Sequence, residues 1–182
     1  MKAGGEVEKI IMDFIFQVEK DFKFLEEMGY KRIESIINNN DYYPDEEVVI
    51  RYVSKSIGVE IFWYFAGANI GVAFIELCNG EFPDKKVFFG ECKEASKAIN
   101  LYTLSNYMNK CDNELFLLKD VDNNSVTKIK QREKIILENM SGVIDGLSIA
   151  VRNLARSIID GDTSDFEDVM EYQAELLKKL YS

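Results

Sequence analysis

Three apolar-rich runs only a few residues apart, Glu47–Val53, Val59–Phe65 and Ile70–Leu77, confine this chain to folds built on an antiparallel sheet. In the first, Val48, Ile50 and Tyr52 alternate with Glu47, Val49 and Arg51. In the second, Val59, Ile61, Trp63 and Phe65 share one face, and Glu60, Phe62 and Tyr64 the other. The third is apolar on both faces. Ser56-Ile57-Gly58 and Ala66-Gly67-Ala68-Asn69 are too short for crossover helices, so they join neighbouring strands as hairpins. A strand over Tyr30–Ile37 and a short edge strand at Val87–Phe89 extend the expected meander to between three and five strands.

Helical periodicity flanks this sheet. Val7, Ile10, Ile11, Phe14, Val18, Phe22 and Leu25 step along one stripe, and Gly29 stands where a C-terminal cap belongs. Phe16 and Phe24 lie off the stripe, which predicts packing on more than one side. Tyr102–Asn109 reads as a short helix, and Leu115–Leu118 as a buried apolar patch. From Ile129, the positions Ile136, Met140, Val143, Leu147, Val151, Leu154 and Ile158 hold one face for about eight turns. Gly142 and Gly146 inside that helix point either to a close approach or to a break near Ser141-Gly142. Gly161-Asp162 end it, and Ser164 with Glu167 forms a capping box for a last helix. The expected fold is α+β: one domain over residues 1–182, sheet-bearing to about residue 90 and helical from about 91, with an N-terminal and two C-terminal helices against the meander.

Composition then narrows function. The chain has no histidine, which removes Ser/His/Asp triads, Cys/His pairs and histidine-built zinc sites. There is no glycine loop for phosphate. Cys78, Cys92 and Cys111 are odd in number and lack a CxxC spacing, so they read as reduced thiols. The longest uncharged run, Ile61–Ile75, holds 15 residues, short of the roughly 20 that span a bilayer. Glu6, Glu8, Lys9 and Asp13 interrupt the first apolar stretch, against a secretory signal. The expectation is a cytoplasmic protein. With 32 Asp+Glu against 22 Lys+Arg, the net charge of −10 disfavours nucleic acid and anionic membranes and favours basic partners.

Two segments hold candidate site residues. The loop Asp41–Glu47 sets Tyr42 and Tyr43 beside Asp45, Glu46 and Glu47. Tyrosines supply rigid contact area while carboxylates steer and pair with a basic partner; an ordinary solvated loop is the plainer reading. In Asp120–Ser125, the residues Asp120, Asp122 and Asn124 match the first oxygen ligands of a calcium loop. Ser125 stands where the turn glycine belongs and Gln131 where the closing glutamate belongs, so a helix N-cap explains the same residues. The acidic stretch from Asp160 to Glu171 matches what a helix macrodipole favours in a first turn. Phe62 and Tyr64 form an exposed patch if helices cover only the Trp63 face, and core if they cover both.

Phe22–Tyr30 (FKFLEEMGY), Gly58–Ile61 (GVEI) and Leu154–Phe166 (LARSIIDGDTSDF) together resemble segments of a group of small bacterial α+β proteins akin to the immunity proteins of toxin systems. The resemblance covers both ends and the middle sheet, about half the chain, and its motifs are structural. It implies a leading helix, an antiparallel sheet, a helix closing on Gly161-Asp162, and a protein that binds and blocks a cognate toxin. Pro83–Asn124 and the long penultimate helix depart from that pattern.

The leading expectation is therefore a non-enzymatic, acidic inhibitor without a cofactor, occluding the basic surface of a toxin through Tyr42, Tyr43, Asp45, Glu46 and Glu47. One alternative is an inhibitor of a defence nuclease, phage- or mobile-element-encoded, whose carboxylates imitate a phosphate backbone. A second is a metal-dependent enzyme built on carboxylates, with Asp120 and Asp122 as ligands. A third is a structural homodimer.

Overall fold

A computed structural model describes residues 4–33, 36–38, 47–65, 68–89, 95–109 and 126–180. The fold is α+β. Three long strands, β3 (Glu47–Val53), β4 (Ile57–Tyr64) and β5 (Asn69–Glu76), form the expected antiparallel meander. Two short strands, β1 (Lys31–Arg32) and β2 (Ile36–Asn38), lie end to end along the free side of β3. Beyond β5 comes β7 (Ser96–Asn100), antiparallel to it, and then β6 (Lys86–Val87), parallel to β7. The sheet therefore has seven strands and is mixed, wider than the meander alone. Sequence periodicity overlooked β7 because Ala98 and Ile99 are its only apolar residues.

The first hairpin turns earlier than expected. Ile57 and Gly58 belong to β4, and Ser54–Ser56 make the turn, with the Ser54 Oγ accepting from the Ile57 N–H at 3.1 Å. On the helical side, α1 (Gly4–Asp21) stops and α2 (Lys23–Glu27) begins at Phe22, whose φ/ψ of −97°/8° leaves the helical region. Gly29 takes φ +90°, and the Tyr30 N–H closes onto the Leu25 carbonyl at 2.9 Å, the glycine-terminated ending that the sequence implies. Phe24 lies under the Arg152 guanidinium at 4.7 Å, whereas Phe16 is 67% exposed.

After α3 (Leu101–Tyr107), the long helix α4 runs from Val126 to Leu154 with a break at Asn139, φ −142° and ψ 40°. A Cβ on Gly142 would lie 2.7 Å from the Asn139 amide, so this glycine makes room for a side chain of its own helix rather than for a second one. The short α5 (Arg156–Ile159) ends at Gly161, φ +101°. The final helix, α6 (Phe166–Leu180), begins two residues after Ser164, and Glu167 pairs with Lys97 of β7 instead of completing a capping box.

The helices gather on the Trp63 face of the sheet. Phe14 and Val18 of α1, Ile144, Leu147 and Val151 of α4, and Phe166 and Val169 of α6 share one buried cluster with Val48, Ile50, Tyr52, Val59, Ile61, Trp63 and Phe74. Chain ends meet in this layer. The Asp21 carbonyl at the end of α1 accepts from Ser148 Oγ at 2.6 Å, and Tyr30 Oη donates to the Ile159 carbonyl at 2.9 Å. The opposite face carries a smaller cluster, Ala73, Ile75 and Ala98, shielded by Phe62, Phe82 and Phe88.

Asn100 ends β7 and starts α3 at once, since its Oδ1 accepts the Thr103 N–H at 2.7 Å. Replacing an N-cap asparagine by alanine costs about 1 kcal/mol. Asn100→Ala should lower the urea-derived unfolding free energy by about that amount; an unchanged midpoint would mean that α3 is held by packing alone.

Candidate functional site

The site lies on the sheet face turned away from the helices. Strand alternation sends Glu60, Phe62 and Tyr64 of β4 to that face. Glu60 is 2% exposed, yet both its oxygens are satisfied. Arg51, its direct cross-strand neighbour, donates a hydrogen bond to Oε1 from Nε at 2.9 Å and completes an ion pair with it through Nη2 at 2.8 Å. The Lys86 ammonium from β6 bonds Oε2. Arg51 also lies 4.6 Å over the Phe82 ring, which in turn rests on Gly58, where a Cβ would come within 2.6 Å of it. A carboxylate held by cations on both oxygens is an anchor, with no free oxygen facing a substrate proton.

Next along the strand, Phe62 faces Gly71 of β5, and a Cβ there would approach the ring to 2.5 Å. The missing side chain lets Phe62 lie flat on the sheet, 4.8 Å from Tyr64. Phe62, Tyr64, Lys86 and Phe88, with Leu101 of α3 and Leu147 of α4 on the helix side, surround a cleft of about 240 Å³ along the first half of β5.

Glu47 is the one predicted partner-binding residue among those described. It opens β3 and stands opposite Tyr64, which stands opposite Asn69, so a Glu47–Tyr64–Asn69 row closes this end of the sheet. Partial burial and the neighbouring Glu47 carboxylate push the Tyr64 pKa upward, and Glu60 adds to the shift. Tyr42, Tyr43, Asp45 and Glu46 lie outside the described residues, as do the candidate metal ligands Asp120, Asp122 and Asn124 and the apolar patch Leu115–Leu118. Among the described residues no group of three or more acidic, cysteine or histidine side chains is placed to hold a metal ion. None of the described helices is long and apolar enough to cross a membrane. Cys78 is a free, exposed thiol.

The Glu60 cluster escaped sequence reading. Its one legible signal was Arg51 and Glu60 on facing strands of a predicted hairpin; Lys86 arrives from a segment whose pairing nothing local announces.

On the helix-covered face, Tyr52 is fully buried and its hydroxyl makes no hydrogen bond among the described residues. Burial chiefly pushes its pKa up from 10.0 to about 12; Arg32 opposes this, and Glu26 and Glu19 reinforce it. The native state thus holds this proton more tightly than the unfolded chain. Its contribution to stability is whole below pH 10 and is lost as pH rises towards 12. Titration by phenolate absorbance should show Tyr52 and Tyr64 ionising above pH 10, with stability declining over the same range. Ionisation of all nine tyrosines in one step near 10 would contradict this.

Compared with protein-family models, with curated proteins and with solved structures, the chain finds no match.

Proposed function

We propose that this protein is a non-enzymatic binding protein that inhibits a basic partner by occluding its cationic surface, in the manner of a toxin's immunity protein. The observation that carries this reading is the Glu47–Tyr64–Asn69 row, which sets a carboxylate directly across from a tyrosine on the rim of an aromatic cleft. Tyr42, Tyr43, Asp45 and Glu46 directly precede Glu47 in the sequence, and the reading assigns them to the same binding surface. Aromatic anchors beside carboxylates suit a partner rich in arginine and lysine, and a chain of net charge −10 draws such a partner in over long range.

A tagged pull-down from bacterial lysate at low and high salt, read by mass spectrometry, tests the reading. One basic protein should be recovered stoichiometrically and lost as salt rises. Once that partner is in hand, the reversal Asp45→Lys with Glu46→Lys should slow association and flatten its salt dependence. Tyr64→Ala should act on dissociation instead, weakening binding by about 30-fold, the size of a hot-spot loss near 2 kcal/mol. A partner whose affinity ignores all three substitutions would place the binding surface elsewhere.

A further inference from the structure

The cleft is a notch left by a missing strand. The Leu77 N–H donates to the Ser56 carbonyl at 2.8 Å, so alternation turns the backbone groups of Ile75, Ala73, Gly71 and Asn69 towards β4. Those of Ile70, Val72 and Phe74 point the other way. Phe74 is met there by Ile99 of β7, but β7 stops at Asn100, opposite Ala73. Beside Ile70 there is no strand among the described residues; the cleft opens there, bounded by Leu101 and Tyr102 of α3 and Leu147 of α4. Ile70 is 1% exposed, and its outward N–H and C=O have no ladder partner among the described strands. Buried backbone groups without a partner destabilise a fold, and whatever pairs with them recovers that loss.

We infer that this notch receives an extended segment of the basic partner, which pairs its main chain with β5 at Ile70 and completes the sheet. The inference rests on the binding reading and specifies how the partner engages. Three observations select the occupant. About 240 Å³ lies below the roughly 300–1,000 Å³ of pockets that engulf a small molecule, whereas a strand needs only the width of one chain and extends past the cleft. The rim offers flat rings, Phe62 and Tyr64, for the stems of long side chains, and Glu47 for a cationic head. A second copy of this chain would bring −10 against −10, so a basic segment is the complementary one.

The test uses the full chain, isotope-labelled, and a capped hexapeptide of alternating lysine and valine. Its controls are the same peptide N-methylated at alternate amides and a version with glutamate for lysine. Amide exchange read by NMR should slow at least tenfold at Ile70 with the lysine peptide and stay unchanged with the N-methylated one. The glutamate peptide should bind at least tenfold more weakly. Equal binding of the methylated peptide, or no protection of Ile70 at millimolar lysine peptide, overturns the inference. So does an Ile70 amide that in the free protein already exchanges as slowly as those of Ile61, or protection that grows with protein concentration alone. A partner recovered by pull-down and sensitive to Asp45→Lys and Glu46→Lys, but leaving Ile70 unprotected, would sink the notch and keep the proposed function.

Discussion

Trp63→Ala is expected to lower the unfolding free energy by about 3–5 kcal/mol, the range for truncating a buried large aromatic. Trp63 is 2% exposed, stacked on Phe65 at 4.2 Å and tilted against Phe14 at 5.5 Å, at the centre of the layer where helices meet sheet. Truncation loses the transfer energy of the indole and leaves a cavity that β4, hydrogen-bonded on both sides, cannot close by moving. Against a total stability of about 5–15 kcal/mol for a domain, one side chain then accounts for a large share. The urea midpoint, followed by circular dichroism because Trp63 is the sole tryptophan, should fall by roughly 1–2 M. Phe16→Ala, at the most exposed aromatic of α1, should stay within about 0.5 kcal/mol of the parent. Equal losses at the two sites would mean that the sheet face is not where the core lies.

Glu60→Ala is the second large effect, and its origin is electrostatic. Removing one member of a buried ion pair costs about 3–5 kcal/mol, because the charge left behind stays desolvated. The cations abandoned here, Arg51 and Lys86, keep 28% and 33% of their side chains in water, so the expected loss is nearer 2–3 kcal/mol. Replacing all three together, Arg51→Met, Glu60→Met and Lys86→Met, should recover most of that loss, since apolar groups of similar volume need no counter-charge. Urea denaturation of the single and triple variants measures both. If the triple variant is less stable than Glu60→Ala, the cluster contributes through its hydrogen bonds and cation–ring contacts rather than through charge balance.

What was legible in the sequence follows from how local each signal is. The strands β3, β4 and β5 declared themselves because alternation and turn length lie within about ten residues of one another. The ending at Gly29 was legible for the same reason: a glycine after an apolar stripe is a local event. By contrast, β7 is a strand only because β5 offers it a ladder, and nothing in Ser96–Asn100 requires that conformation. The break in α4 falls at Asn139, near Ser141-Gly142 as the glycine suggested, but that Gly142 makes room for the Asn139 side chain is visible only in three dimensions. Of the site, Glu47 was legible as part of an acidic, aromatic loop. The cleft beside it was not, because Phe88, Asn100 and Tyr102 reach it from separate elements.

The meeting of the chain's two ends also sets an order of events during synthesis. Trp63 belongs to the same cluster as Ile144 and Phe166, so the meander leaves the ribosome long before the helices that cover its aromatic face. At about 5–20 residues per second, the 81 positions from Trp63 to Ile144 take roughly 4–16 s. Through that interval the nascent chain carries an apolar sheet that, of the described helices, only α1, α2 and then α3 can shield. Its risk of sticking to other chains is set by translation speed and chaperone supply, and not by the stability of the finished fold.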